Sequence, residues 1–145
     1  MEPKLIIGNR VYDNRGSLRF SNDFGFKNIK RFYTVHNYNK NFIRAWHGHM
    51  NEEKYIGCIR GTFQVSVVKI DNIKKPNKKN KIHTFFLNES NNNFVHISKG
   101  FANGSMSLED NSELLIFSTS SIKESLNDDI RYDPQYWNPW KILHR

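Results

Sequence analysis

Ile43-Arg44-Ala45-Trp46-His47-Gly48-His49 reads as a β-strand, and that decides what the rest of the chain has to supply. Side chains alternate faces along a strand, so residues two apart point the same way. His47 and His49 therefore face one cavity together, and Arg44 sits close enough to reach its mouth. Two bases that titrate near neutrality beside a fixed cation suit proton transfer on an anionic or carbonyl substrate. The pair has two other uses: two packed or solvated histidines, or two nitrogen ligands for a metal with Glu52 or Glu53 as a third. By the same alternation Trp46 points away from the cavity and belongs to the core.

Working outward, short β-type runs recur between turn residues, with hardly any helical periodicity. Strands are expected at Leu5–Ile7, Leu18–Phe20, Arg31–His36, Ile43–His49, Tyr55–Arg60, Thr62–Ile70, His83–Leu87, Asn93–Ile97, Gly104–Leu108 and Glu113–Ser118. Between them lie turn-rich pieces such as Asp13-Asn14-Arg15-Gly16, Arg60-Gly61 and Ser98-Lys99-Gly100. Many short strands at this spacing predict an all-β sandwich or small barrel. The stretch from Ile122 to Trp140 is polar, proline-bearing and aromatic, and is expected to pack over the barrel as loops with a short helical turn.

Composition narrows the class. A chain of 145 residues with 37% hydrophobic and 14% aromatic content supports one well-buried domain, expected over 1–145, and is short for two. No apolar run is long enough to span a bilayer, and Met1-Glu2-Pro3-Lys4 followed by three apolar residues does not read as a signal peptide, so a cytoplasmic protein is expected. The single cysteine, Cys58, has no internal disulfide partner, and Tyr55-Ile56-Gly57-Cys58-Ile59 reads as a buried strand with no catalytic task for the thiol. Of the net charge of +8, much lies in Lys74-Lys75-Pro76-Asn77-Lys78-Lys79-Asn80-Lys81, which reads as an exposed hairpin loop rather than a nucleic-acid surface. The excess favours anionic ligands such as nucleotide diphosphates, and neither nucleic acid nor membrane is expected as a partner.

The residues also carry a resemblance. His47-Gly48-His49, then Glu52 or Glu53, then Gly61, resembles the first cupin motif, and Ser98-Lys99-Gly100-Phe101-Ala102-Asn103 resembles the second. The resemblance implies a cupin jelly-roll barrel of the RmlC-like type, with a short irregular or helical C-terminal segment. Ser98 stands where proline is usual, and Asn103 where a third metal-binding histidine would stand. Asparagine is a poor ligand for a transition metal, so a cupin without metal or other cofactor is expected, with a metal-dependent cupin as the alternative.

Within the cupins the chain is most similar to enzymes of nucleotide-diphosphate deoxysugar biosynthesis, from Asp13 to about Trp140. Asp13-Asn14-Arg15-Gly16-Ser17-Leu18 resembles that family's N-terminal Asp-x-Arg-Gly segment. Ile29-Lys30-Arg31-Phe32-Tyr33, followed by Arg44 and the two histidines, is similar to the WxcM-like sugar 3,4-ketoisomerases. Gly100-Phe101-Ala102-Asn103-Gly104 and Asp129-Ile130-Arg131-Tyr132-Asp133-Pro134 are similar to the dTDP-4-dehydrorhamnose 3,5-epimerases. The epimerases pair a histidine base with a tyrosine acid on the opposite face of the sugar. A gapless alignment from Ile130-Arg131 puts that tyrosine position at Ile122, which has no proton to donate, although Tyr33 or Tyr132 remains available from the other face.

The resemblance implies an isomerase that moves the ketone of dTDP-4-keto-6-deoxyglucose from C4 to C3 through an enediolate. The alternatives are a 3- or 3,5-epimerase of the same sugars, a metal-dependent cupin, and a non-catalytic binder of sugars or nucleotides. His49 is expected to be the base and His47 its partner, the two being exchangeable, with Tyr33 hydrogen-bonding a substrate oxygen or simply packing the barrel. Arg44 is expected at the diphosphate or the developing oxyanion. Arg15 resembles the family arginine that contacts the nucleotide, often across a dimer interface, and Lys54 and Asn103 complete the substrate-binding set. The expected partners are a dTDP-linked 4-keto-6-deoxy sugar and a second copy of the chain in a homodimer.

Overall fold

The computed structural model describes residues 1–141, so the last four residues of the expected domain lie outside the described residues. In chain order the strands are β1 (Lys4–Ile6), β2 (Asn9–Asp13), β3 (Gly16–Phe20), β4 (Arg31–Asn37), β5 (Ile43–His49), β6 (Lys54–Arg60), β7 (Thr62–Lys69), β8 (Ile82–Asn88), β9 (Phe94–Ile97), β10 (Phe101–Ser107) and β11 (Ser112–Ser118). A short helix, α1 (Ile122–Leu126), and a two-residue strand, β12 (Ile130–Arg131), follow. One sheet has the order β1-β9-β6-β11-β4 and the other β12-β5-β10-β7-β8, with β2 and β3 as a separate hairpin. All pairings are antiparallel, and the two facing sheets form the jelly-roll barrel of the cupins.

Alternation sorts the side chains into two cores. Ile56, Phe63, Val65, Val67, Leu114 and Ile116 point between the sheets and are all buried. Each such burial stabilises the fold by about 1.5–3 kcal/mol. A second cluster covers the outer face of the second sheet, where Trp46, Val68, Ala102 and Met106 meet Trp137 and Trp140 of the C-terminal segment. Strand β7 is therefore buried on both faces, its outward Gln64 being satisfied by the Pro139 carbonyl at 3.0 Å. The expectation that the aromatic C-terminal segment packs over the barrel matches this cover. The β6–β7 reversal turns on Gly61 at φ +76°, where a Cβ would lie 2.1 Å from Ser112 Oγ.

Most expected strands lie within a residue or two of the observed ones. Three differences bear on the site. Strand β2 was not expected, because Asn9-Arg10-Val11-Tyr12-Asp13 has little apolar alternation, and it exists through pairing with β3 across the Asp13–Gly16 turn. Strand β10 starts at Phe101 rather than Gly104, since Phe101 pairs with His49 on one side and Lys69 on the other. Residues expected in loops form β12, whose Ile130 and Arg131 pair with Gly48 and His47 and so reach the histidine strand.

Cys58 is inert for a physical reason. Its side chain is buried, its thiol donates to the Arg60 and Gly61 carbonyls at 3.1 and 3.3 Å, and burial pushes its pKa up to about 12. The thiolate is the reactive form. A thiol reagent at pH 8 should therefore leave the folded protein unmodified and titrate one thiol after denaturation; rapid labelling of the native protein would contradict the buried placement.

Candidate active site

A cavity of about 260 Å³ opens between the sheets. One wall is apolar and comes from the first sheet, with Val35, Ile56, Leu114 and Ile116, and Tyr33 beside them. The other wall is polar and comes from the second sheet, with Arg44, His47, His49, Asn103 and Ser105. Lys54 enters from the start of β6, and Ser125, Leu126, Asp129 and Arg131 of the C-terminal segment line the rest.

Arg44 reaches this wall because β5 is irregular. His47 pairs with Asn103 and Arg44 with Ser105, so three steps along β5 match two along β10 and the register shifts by one residue. An extra residue in one strand of an antiparallel pair reverses the facing of everything beyond it. Strict alternation would have put Arg44 on the face of Trp46 and opposite to the histidines. Instead Ala45 and Trp46 both join the outer cluster and Arg44 shares the cavity with His47 and His49. Gly104 makes room for this, since a Cβ there would lie 2.7 Å from the Ala45 Cβ and 2.9 Å from the Trp140 ring.

Neighbours hold Arg44, Asn103 and His49 in place. Asn37, fully buried, accepts from Arg44 Nε at 2.7 Å and donates to Ser107 Oγ at 3.1 Å, while Arg44 also donates to the His36 carbonyl at 3.3 Å. Asn103 Nδ2 donates to the His47 carbonyl at 3.2 Å. His49 Nδ1 lies 2.8 Å from the Asp128 carbonyl oxygen. A carbonyl only accepts, so Nδ1 carries the hydrogen and Nε2 is the nitrogen free to take a proton. The Asp128 carboxylate is itself fixed by the Met50 and Asn51 N–H groups at 2.9 and 2.8 Å.

Burial first, and the Lys54 cation second, lower the pKa of both histidines below the ordinary value of 6.5. At neutral pH both are uncharged bases. Glu52 lies behind His49 with its side chain sealed from solvent, 3.8 Å from His49 Nδ1 and 3.7 Å from Lys54 Nζ, and neither carboxylate oxygen has a hydrogen-bond partner.

Of the residues singled out in the sequence, the structure brings together Tyr33, Arg44, His47, His49, Lys54 and Asn103. It leaves Arg15 outside: that side chain is 86% exposed on the β2–β3 hairpin and pairs with Asp13 at 2.6 Å. Ile122 does not line the cavity; Ser125 and Leu126, one turn on, do. Tyr132 packs with the outer cluster and donates to the Ile73 carbonyl at 2.6 Å, so it is turned away from the site. Asp128 was not picked out because nothing in the local sequence signals a contact 78 residues away such as Met50 with Asp128. Asn37 and the orphaned Glu52 are near Arg44 and His49 in sequence, but their burial against them is decided by packing and not by local pattern. Among the described residues no three His, Cys, Asp or Glu side chains come together as a metal-ligand set, and no helix is long and apolar enough to cross a membrane.

The comparisons with known proteins agree with this fold. The family model described as dTDP-4-dehydrorhamnose 3,5-epimerase matches residues 7–144. No curated protein sequence matches the chain. Among solved structures, the rmlC epimerase of Mycobacterium tuberculosis superposes with a TM-score of 0.78 at 18% identity, covering 95% of this chain and 74% of that one. A 3,4-ketoisomerase from Helicobacter canadensis gives 0.71 at 22% identity, covering 94% and 95%. A mutant of the 3,4-ketoisomerase QdtA from Thermoanaerobacterium thermosaccharolyticum, in complex with TDP-4-keto-6-deoxyglucose, gives 0.70 at 20% identity, covering 92% and 90%.

Proposed function

The chain belongs to the dTDP-4-dehydrorhamnose 3,5-epimerase family, and from that premise we propose that it is the 3,4-ketoisomerase of a dTDP-linked 4-keto-6-deoxy sugar. The observation that carries this reading is the pair of uncharged histidines side by side on one wall, with His49 Nδ1 pinned so that Nε2 is the base. TDP-4-keto-6-deoxyglucose, the ligand of the QdtA mutant, is the substrate proposed here. At about 260 Å³ the cavity is below the roughly 300–1,000 Å³ of pockets that engulf a drug-sized ligand, so it takes the sugar ring and leaves the nucleotide at its mouth.

The C3–H of a 4-keto sugar is acidic because the carbonyl accepts the electron pair. His49 Nε2 removes that proton, giving an enediolate, and Arg44 with Lys54 offers positive charge to the oxygens. His47 moves a proton between the C3 and C4 oxygens, and His49, whose captured proton exchanges with solvent, delivers a proton to C4, so the proton count is unchanged overall. The apolar wall of Val35, Ile56, Leu114 and Ile116 suits the C6 methyl of a deoxy sugar. Arg15 serves the nucleotide only in a homodimer, with the hairpin of one copy laid over the cavity mouth of the other. The exposed Val11, Tyr12 and Leu18 of that hairpin favour such a contact.

A second reading is a 3- or 3,5-epimerase, and one observation favours it: Tyr33 comes from the opposite sheet and lies across the cavity from the histidines. Proton NMR of the protein with TDP-4-keto-6-deoxyglucose in deuterated water separates the two. A ketone moving to C3 with deuterium appearing at C4 is the expected result, whereas deuterium at C3 or C5 with the ketone retained at C4 would identify an epimerase.

A further inference from the structure

Glu52 is a buried carboxylate without a hydrogen bond, set behind a cavity wall whose neighbouring acids, Asp128 and Asp129, both have partners. Its side chain has no solvent exposure, and both oxygens lack partners. Leaving such a group unpaired costs free energy, so its presence calls for a cause. Two cationic or potentially cationic nitrogens flank it beyond hydrogen-bond reach, His49 Nδ1 at 3.8 Å and Lys54 Nζ at 3.7 Å. The other carboxylate near His49, Asp128 at 4.0 Å from Nδ1, is already held by two backbone N–H groups.

We propose that Glu52 is a positioning residue for proton transfer, its carboxylate being the fixed counter-charge that lets His49 hold the sugar's proton as an imidazolium beside the Lys54 ammonium. The inference rests on the reading of His49 as the base. When Nε2 takes the C3 proton, the C–H electron pair passes to the enediolate and a positive charge appears on the ring. That charge sits in a site where Lys54 opposes it and Arg131 lines the same cavity. Asp129 and Asp128 face the same group of side chains, but the first pairs with Arg131 and the second is tied to backbone. Glu52 is the acid whose charge is not already spent on a hydrogen bond. Because its oxygens stop short of Nδ1, the Nδ1–H stays on the Asp128 carbonyl and the imidazole keeps its orientation in both protonation states.

The test is Glu52→Gln, which keeps the shape and removes the charge, with Glu52→Asp as the charge-retaining control. The His49 ring is followed by NMR through a pH titration of the whole protein, with no ligand present. Removing an opposite charge at this distance should lower the His49 midpoint by about one pH unit, and the aspartate variant should stay close to wild type. With TDP-4-keto-6-deoxyglucose, kcat of the glutamine variant should fall about tenfold at an almost unchanged KM, matching one unit of lost stabilisation. The acid limb of kcat/KM should move to lower pH with the NMR midpoint. An unchanged His49 midpoint, or an unchanged kcat in an active enzyme, would overturn the proposal. If the midpoint moves while wild type leaves that sugar untouched, the counter-charge role stands and the substrate reading is what fails.

Discussion

His49→Asn is expected to lower kcat on the 4-keto sugar by about 1,000-fold while the protein stays folded, because general acid–base groups contribute about 10²–10⁴. Asparagine is chosen because its side-chain amide can still donate to the Asp128 carbonyl, which His49 Nδ1 meets at 2.8 Å. What it lacks is a nitrogen lone pair at the Nε2 position. The loss should appear in single-turnover solvent exchange as well as in steady-state rate, since the step removed is the first abstraction of a C–H proton. Retention of exchange within tenfold of wild type would move the base to His47, which lines the same wall and is likewise uncharged near neutrality. In wild type the acid limb of kcat/KM should fall below pH 6.5, because burial disfavours the imidazolium of both histidines, and a base that must be neutral then remains active to lower pH.

Trp46→Ala should produce the largest loss of stability, about 3–5 kcal/mol, in the range of large aromatic deletions from a packed core. The side chain is completely buried, lies 5.4 Å from the Trp137 ring and 5.3 Å from the Trp140 ring, and donates through Nε1 to the Pro134 and Trp137 carbonyls at 3.2 and 3.1 Å. A domain with about 5–15 kcal/mol of total stability loses much of its margin with such a change. Urea denaturation read by far-UV circular dichroism measures it, and a cost below about 1 kcal/mol would be incompatible with this packing. The activity should fall with it. Trp46 sits in the irregular stretch of β5 that turns Arg44 inward, and its backbone exchanges hydrogen bonds with Tyr132 at 3.1 and 3.2 Å.

The local sequence determined the fold class, because strand alternation and turn chemistry act over a few residues. The run Ile43–His49 has the strand bounds expected of it, and His47 and His49 face one cavity as their spacing requires. Trp46 lies in the core as expected, and the resemblance to the cupins and the deoxysugar enzymes agrees with the matched family and fold. What alternation could not show was that Arg44 shares the histidine wall. That depends on one extra residue of β5 against β10, a property of the pairing of two strands more than fifty residues apart. The same holds for Asp128 under His49 and for β12 closing the edge of β5. These contacts form only once the C-terminal segment has folded back over the barrel. Strand periodicity is therefore a local property written in neighbouring residues, whereas register, the partner of a buried polar group and the charge around a base are set by packing across the sheets.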